Sequence, residues 1–191
     1  MLATSVKVPS RSIKTARPAA APRAIRFNEA WGGPFGVLLV EDNDDDIVIT
    51  ERTLARGGLT DNPRIARDGK SALELLVGAR AAQSHAAIGA LPDVVLLDLG
   101  LPRVSGLDVL RKLKEHPRAA DVPIVVLSGT DDEGTAQVCM NLGSTMFVVK
   151  PLTALDVMNV IVAVQKHWLA IENFRAVHDG YEPIVQQLRA A

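Results

Sequence analysis

The stretch Gly36 to Asp46, GVLLVEDNDDD, passes from four aliphatic residues straight into Glu41, Asp42, Asn43, Asp44, Asp45 and Asp46. Val37 to Val40 is apolar without polar alternation, which is how a strand covered on both faces of a parallel sheet reads. The acids that follow repel one another. Two carboxylates about 5 Å apart oppose each other by roughly 3 kcal/mol at an effective dielectric near 20. Such a cluster requires separation, solvent or a cation.

The same kind of apolar run recurs as VVLLD (94–98), IVVLS (124–128) and MFVV (146–149), with a weaker one at RIAR (64–67). Segments with helical spacing lie between them: Ile47 and Leu54; Ala72, Leu73, Leu75 and Leu76; Leu107, Leu110 and Leu113; Val138, Met140 and Leu142; and a long one from Leu155. Strand and helix therefore alternate five times. That rhythm implies right-handed crossovers and an α/β, doubly wound, five-stranded parallel sheet with flanking helices. In such sheets functional groups gather at the carboxyl edge of the strands. The strand ends here carry Glu41 and Asp42, then Asp98, Ser128 and Lys150, so three carboxylates, a hydroxyl and an ammonium converge on one edge.

The chain has 191 residues and is 48% hydrophobic, enough for one good-sized domain with a substantial core. It contains no uninterrupted apolar run of membrane-spanning length, and its first residues lack the apolar centre of a secretory signal. A cytoplasmic protein with no membrane partner is expected. The single cysteine, Cys139, excludes an internal disulfide, and its apolar neighbours mark it as a packed thiol. His85, His116, His167 and His178 are scattered without metal-ligand spacing.

Charge is unevenly spread. Residues 1–35 hold six basic residues against Glu29, a balance of +5, which leaves −6 for the remainder of a chain whose net charge is −1. Three regions are expected: a basic, disordered leader over 1–35, a domain over 36–177 with a long terminal helix, and a tail over 178–191. A nucleic-acid-binding arm is the alternative use of the leader, weakened by the lack of an aromatic among its charges before Phe27. An organelle transit peptide is less favoured still.

A hard cation such as Mg2+ takes oxygen ligands and binds through one or two carboxylates plus phosphate oxygens. A carboxylate beside it can act as a nucleophile toward phosphorus, with a lysine and a hydroxyl holding the phosphoryl oxygens. These parts, in this order, resemble the receiver domain of two-component response regulators. The resemblance rests on Glu41 and Asp42 after the first strand, LLDLGLPRVSG with Asp98, Leu101, Pro102 and Gly106, Ser128 in VVLSGT, and Lys150 followed by Pro151. It implies the flavodoxin-like receiver fold with strand order 2-1-3-4-5 and a phosphoryl group accepted on Asp98 from a sensor histidine kinase. It also implies Mg2+ held by Glu41, Asp42, Asp98 and the Gly100 backbone carbonyl, and phosphoryl contacts from Ser128 and Lys150. Such a protein is not a conventional enzyme, being limited to its own phosphorylation and dephosphorylation.

ARDGKSALELL after the second strand, VGARAAQSHAAIGALPD before the third and HWLAI in the final helix resemble the single-domain regulators that partner phytochrome-type histidine kinases. Phe147 stands where many receivers have a switch tyrosine, so a switch built on Ser128 and Phe147 lacks that hydroxyl. Gly100 is smaller than the usual occupant of its position. After Val177 only 14 residues remain, too few for a helix-turn-helix output domain, so signalling through the domain's own surface is expected.

Two rival chemistries fail on residue type. A calcium loop starting at Asp42 would need glycine where Ile47 stands and glutamate where Thr53 stands. A haloacid-dehalogenase-type phosphatase would need a second aspartate at Gly100. Asp44, Asp45 and Asp46 suit the first turn of a helix without any catalytic role. The terminal helix carries two apolar stripes. Leu155, Met158, Ile161 and Val162 are assigned to the sheet, and Val157, Val160, Val164, Trp168 and Ile171 to an outer face that pairs in a homodimer or docks a kinase.

Overall fold

The computed structural model describes residues 35–78 and 91–189. Five parallel strands, β1 (Val37–Val40), β2 (Arg64–Ala66), β3 (Val94–Asp98), β4 (Ile124–Ser128) and β5 (Met146–Val149), form one sheet in the order β2-β1-β3-β4-β5. Among the described residues the helices are α1 (Asp44–Arg56), α2 (Gly69–Val77), α3 (Gly106–Glu115), α4 (Glu133–Asn141) and α5 (Ala154–Arg189).

Period-two alternation splits the core into two layers. Leu38, Val40, Val95, Leu97, Ile124 and Val126 point to one side, where Leu76 of α2, Leu110 and Leu113 of α3 and Cys139 of α4 cover them. Val37, Leu39, Val94, Leu96, Val125 and Leu127 point to the other, under Ile47 and Leu54 of α1 and Val157, Val160 and Val164 of α5. Every residue of β1, β3 and β4 is buried, which is why their sequences show no polar alternation. The β1–β3 and β3–β4 registers set Val40 beside Leu97 and Asp98 beside Leu127, so the strands end nearly level at one edge.

The terminal helix is turned opposite to most of the sequence assignment, Ile161 alone of the first stripe packing against the core layer as assigned. Val157, Val160 and Val164, placed on an outer interface, are core residues at most 1% exposed, whereas Leu155 (66%), Met158 (61%) and Val162 (47%) face outward. Trp168 packs against the same core layer and Ile171 is half-buried, so neither lies on a free outer stripe. A reciprocal cap fixes this rotation: the Thr153 amide donates to Asp156 Oδ2 at 2.8 Å and the Asp156 amide to Thr153 Oγ1 at 3.2 Å. Gly57 at the end of α1 then admits Val157, because a Cβ on Gly57 would lie 2.4 Å from Val157 Cγ1. Periodicity reveals two stripes but not which one meets the sheet.

Two boundaries also move. Phe35, counted with the leader, is 8% exposed and joins the core. The helix expected to end at Val177 continues to Arg189, through Gly180 and Pro183, where the good helix formers Gln186, Gln187, Leu188 and Arg189 follow the breakers. The rest of the leader, with the nucleic-acid alternative built on it, lies outside the described residues, as does His85. Ala154–Phe174 is long and apolar enough to cross a bilayer by length and composition. Its valine face is nevertheless spent on the sheet.

Candidate functional site

Glu41 and Asp42 follow β1, where the chain must leave the sheet. The Glu41 amide still donates to Ala66 O of β2 at 3.0 Å, so the residue is held as firmly as the strand, and its side chain is 1% exposed. Asn43 then caps α1 by accepting from the Asp45 and Asp46 amides, which aims Asp42 outward. Asp98 ends β3 and is 6% exposed. One carboxylate oxygen each from Glu41, Asp42 and Asp98 lies within 4.8 Å of the others.

Lys150 follows β5, its amide donating to Ser128 O at 2.7 Å, and its peptide bond to Pro151 is cis. Its ammonium donates to Glu41 Oε2 at 2.5 Å and Asp46 Oδ2 at 3.0 Å and lies 3.1 Å from Asp98 Oδ1. An ammonium has three protons, and here they meet three carboxylates. Burial works against the Lys150 charge, but hydrogen bonds to Glu41, Asp46 and Asp98 outweigh it and hold the ammonium well above the ordinary lysine value. Burial pushes the Glu41 carboxyl up, the nearby Asp98 charge adds to this, and the Lys150 hydrogen bond opposes it. Four carboxylates, Glu41, Asp42, Asp46 and Asp98, face one ammonium. With all ionised the site carries three uncompensated negative charges.

That excess suits a hard divalent cation. An octahedral Mg2+ holds oxygens at about 2.0–2.1 Å, hence roughly 3 to 4 Å apart, so the three carboxylates need to close in only slightly. The backbone at Gly100 borders Asp98 directly, since a Cβ there would sit 3.2 Å from Asp98 Oδ2. Gly106 is required for the same loop to close: a Cβ would lie 2.1 Å from Asp98 O. Ser128 ends β4, 5% exposed, and its Oγ accepts from the Thr130 amide at 3.2 Å. Phe147 is packed against the core layer of α2, α3 and α4, beside Val126.

Asp46 belongs to this group although its first-turn position accounted for it without any site role. Helical spacing does not reveal it, because Asp42 lies ahead of the extended N-cap Asn43 and shares no helix face with Asp46. Asp44 pairs instead with Arg67 at 2.5 Å. Arg103, at φ 67°, donates to Asp68 Oδ2 at 2.7 Å and ties the loop after β3 to the cap of α2. Nothing in the sequence pattern marks that tie.

The parallel sheet thus presents a buried aspartate, a cluster of acids and a lysine at its carboxyl edge. The chain belongs to the response regulator receiver domain family, whose sequence model matches residues 37–162. It is 34% identical over 137 residues to the probable methanogenesis regulatory protein FilR2 of Methanothrix harundinacea (strain 6Ac), covering 71% of this chain and 84% of that protein. Among solved structures, the bacteriophytochrome response regulator AtBRR is 36% identical with a TM-score of 0.59, covering 68% of this chain and 91% of that one. The Mn(2+)-bound form of response regulator Rcp1 is 27% identical with a TM-score of 0.54, covering 71% and 95%. Phytochrome response regulators are thus among its relatives.

Proposed function

We propose that this chain is a single-domain response regulator that accepts a phosphoryl group on Asp98 in a Mg2+-dependent reaction, in the cytoplasm, from a phytochrome-type histidine kinase. The observation that carries the proposal is the Lys150 ammonium 3.1 Å from Asp98 beside three carboxylates that converge within 4.8 Å. A bound Mg2+ would neutralise the acids and the phosphoryl oxygens during transfer. An Asp98 oxygen attacks phosphorus in line as the bond to the donor's imidazole nitrogen breaks. The electron pair stays on the leaving imidazole, which picks up a proton. Lys150 exchanges one carboxylate for a phosphoryl oxygen, and the Ser128 hydroxyl donates to another. Glu41, Asp42, Asp98 and the Gly100 carbonyl would hold the cation, which would supply positive charge to the transferring group.

Receiver domains are in general phosphoryl acceptors rather than conventional enzymes. The donor's approach is supported by an apolar hollow of about 310 Å3 beside the site, lined by Ile49, Thr50, Lys150, Pro151 and Leu152 among others. Phosphorylation then changes the surface through Ser128 and Phe147, and the outward stripe of Leu155, Met158, Val162 and Leu169 offers a homodimer face. The test is transfer from a radiolabelled phytochrome-type kinase. Label should appear on the wild type in Mg2+ and vanish in EDTA; transfer that proceeds undiminished in EDTA would refute the metal-dependent mechanism.

A further inference from the structure

The three carboxylates that meet Lys150 differ in what else they do. The ammonium lies 2.5 Å from Glu41 Oε2, 3.0 Å from Asp46 Oδ2 and 3.1 Å from Asp98 Oδ1. Glu41 and Asp98 also belong, with Asp42, to the group whose oxygens converge within 4.8 Å, and Asp46 does not. Their surroundings differ as well, since the Glu41 and Asp98 side chains are 1% and 8% exposed and that of Asp46 is 38% exposed. Asp46 and Lys150 together line the hollow of about 310 Å3 beside the site. The ammonium therefore stands between two buried acids and one acid on the open side.

Asp46 and Lys150 are held by separate elements. Asp46 stands in the first turn of α1, its amide donating to the Asn43 cap at 3.2 Å, and the next residue, Ile47, is buried against the sheet. Lys150 follows β5, its amide donating to Ser128 O at 2.7 Å. Both backbones can stay in place while the ammonium changes partners. Glu41 and Asp98 cannot serve it equally in every state, because once they share their charge with a cation their pull on a neighbouring ammonium falls and the two positive charges repel. Asp46 keeps its whole charge for Lys150.

We infer that Asp46 is the positioning residue for Lys150: it is the carboxylate that the ammonium keeps when Glu41 and Asp98 turn to the cation, and it holds Nζ beside the hollow to meet a phosphoryl oxygen. This rests on the reading of Asp98 as the phosphoryl acceptor. Asp46 acts through Lys150 and touches neither the cation nor the phosphoryl group. Without its charge the ammonium has no partner left outside the cation's own ligands, so capture of the phosphoryl group suffers while the fold does not. Asp45 supplies a control. It lies on the same turn, is exposed, carries an equal charge and is not among the three carboxylates that Lys150 meets.

The test measures binding of beryllofluoride, a non-covalent phosphoryl analogue, to the full chain at saturating Mg2+ by titration calorimetry. Asp46→Asn should bind it about tenfold more weakly than the wild type, the size of one hydrogen bond between charged partners at a half-exposed position. Asp46→Glu should recover most of that loss, Asp45→Asn should bind as the wild type does, and the urea midpoint of Asp46→Asn in EDTA should stay close to the wild-type value. Wild-type affinity in Asp46→Asn, an equal loss in Asp45→Asn, no recovery in Asp46→Glu, or a large fall in the urea midpoint of Asp46→Asn would overturn the inference and leave Asp98 as the acceptor. A wild type that binds no beryllofluoride would instead overturn the phosphoryl-acceptor reading, and the inference with it.

Discussion

Replacing Lys150 by methionine keeps most of the unbranched side chain and removes the charge that three carboxylates share. Gross attraction between unit charges 3 Å apart is about 5 kcal/mol at an effective dielectric near 20, but desolvation offsets most of it. What remains after truncation is the cost of leaving buried acids unpaired. Glu41 is 1% exposed and Asp98 6%, whereas the Asp46 side chain, 38% exposed, retains enough water to contribute little. Breaking a buried pair of this kind costs about 3–5 kcal/mol. Urea unfolding in EDTA should therefore show Lys150→Met less stable than the wild type by about that amount. Mg2+ should then stabilise the variant more than the wild type, since it supplies the missing positive charge; saturation at a hundred times Kd alone adds about 2.7 kcal/mol. A loss below about 1 kcal/mol in EDTA would mean that the ammonium is only a screened surface partner, and the electrostatic account of the site would fall.

Further outcomes separate the metal seat, the core and the caps. Asp42→Asn should weaken Mg2+ binding measured by calorimetry while leaving the apo protein at least as stable to urea, because it relieves repulsion that the cation otherwise offsets; unchanged affinity removes Asp42 from the seat. Val160→Asp should unfold the chain or destabilise it by more than about 4 kcal/mol, while Met158→Glu, on the exposed face of α5, should change thermal stability little. Equal effects would contradict the helix rotation described here. Hydrogen bonding from the Ser71 amide holds the Asp68 carboxyl below its usual range. The folded state then releases that proton more readily than the unfolded chain, so the contribution of Asp68 is present above its ordinary value of 3.8 and is lost as pH falls through the folded value. Asp68→Asn, which keeps the cap, should flatten this part of the acid limb in thermal melts.

Legibility followed burial. β1, β3 and β4 are covered on both faces, so their runs are apolar up to their ends, which with the end of β5 put Glu41, Asp42, Asp98, Ser128 and Lys150 on one edge. The edge strand β2 is harder to read, because it is three residues long and half-buried at Arg64 and Ile65. On α5 the sequence failed for a physical reason: two apolar stripes both satisfy the helical period, and the choice between them is made by Thr153, Asp156 and Gly57, through a cap and a close approach to α1. Asp46 was hidden by a sufficient local explanation, since an acid in a first turn needs no partner. The tie between Arg103 and Asp68 joins residues 35 apart through a left-handed residue that no pattern announces.

Acceptance of the phosphoryl group on Asp98 is the central claim, and intact-mass measurement after incubation with acetyl phosphate and Mg2+ tests it most directly. The wild type should gain the mass of one phosphoryl group and lose it in acid or base, as an acyl phosphate does, while Asp98→Asn, which preserves shape at the end of β3, should gain none. Undiminished labelling of Asp98→Asn would contradict the account outright.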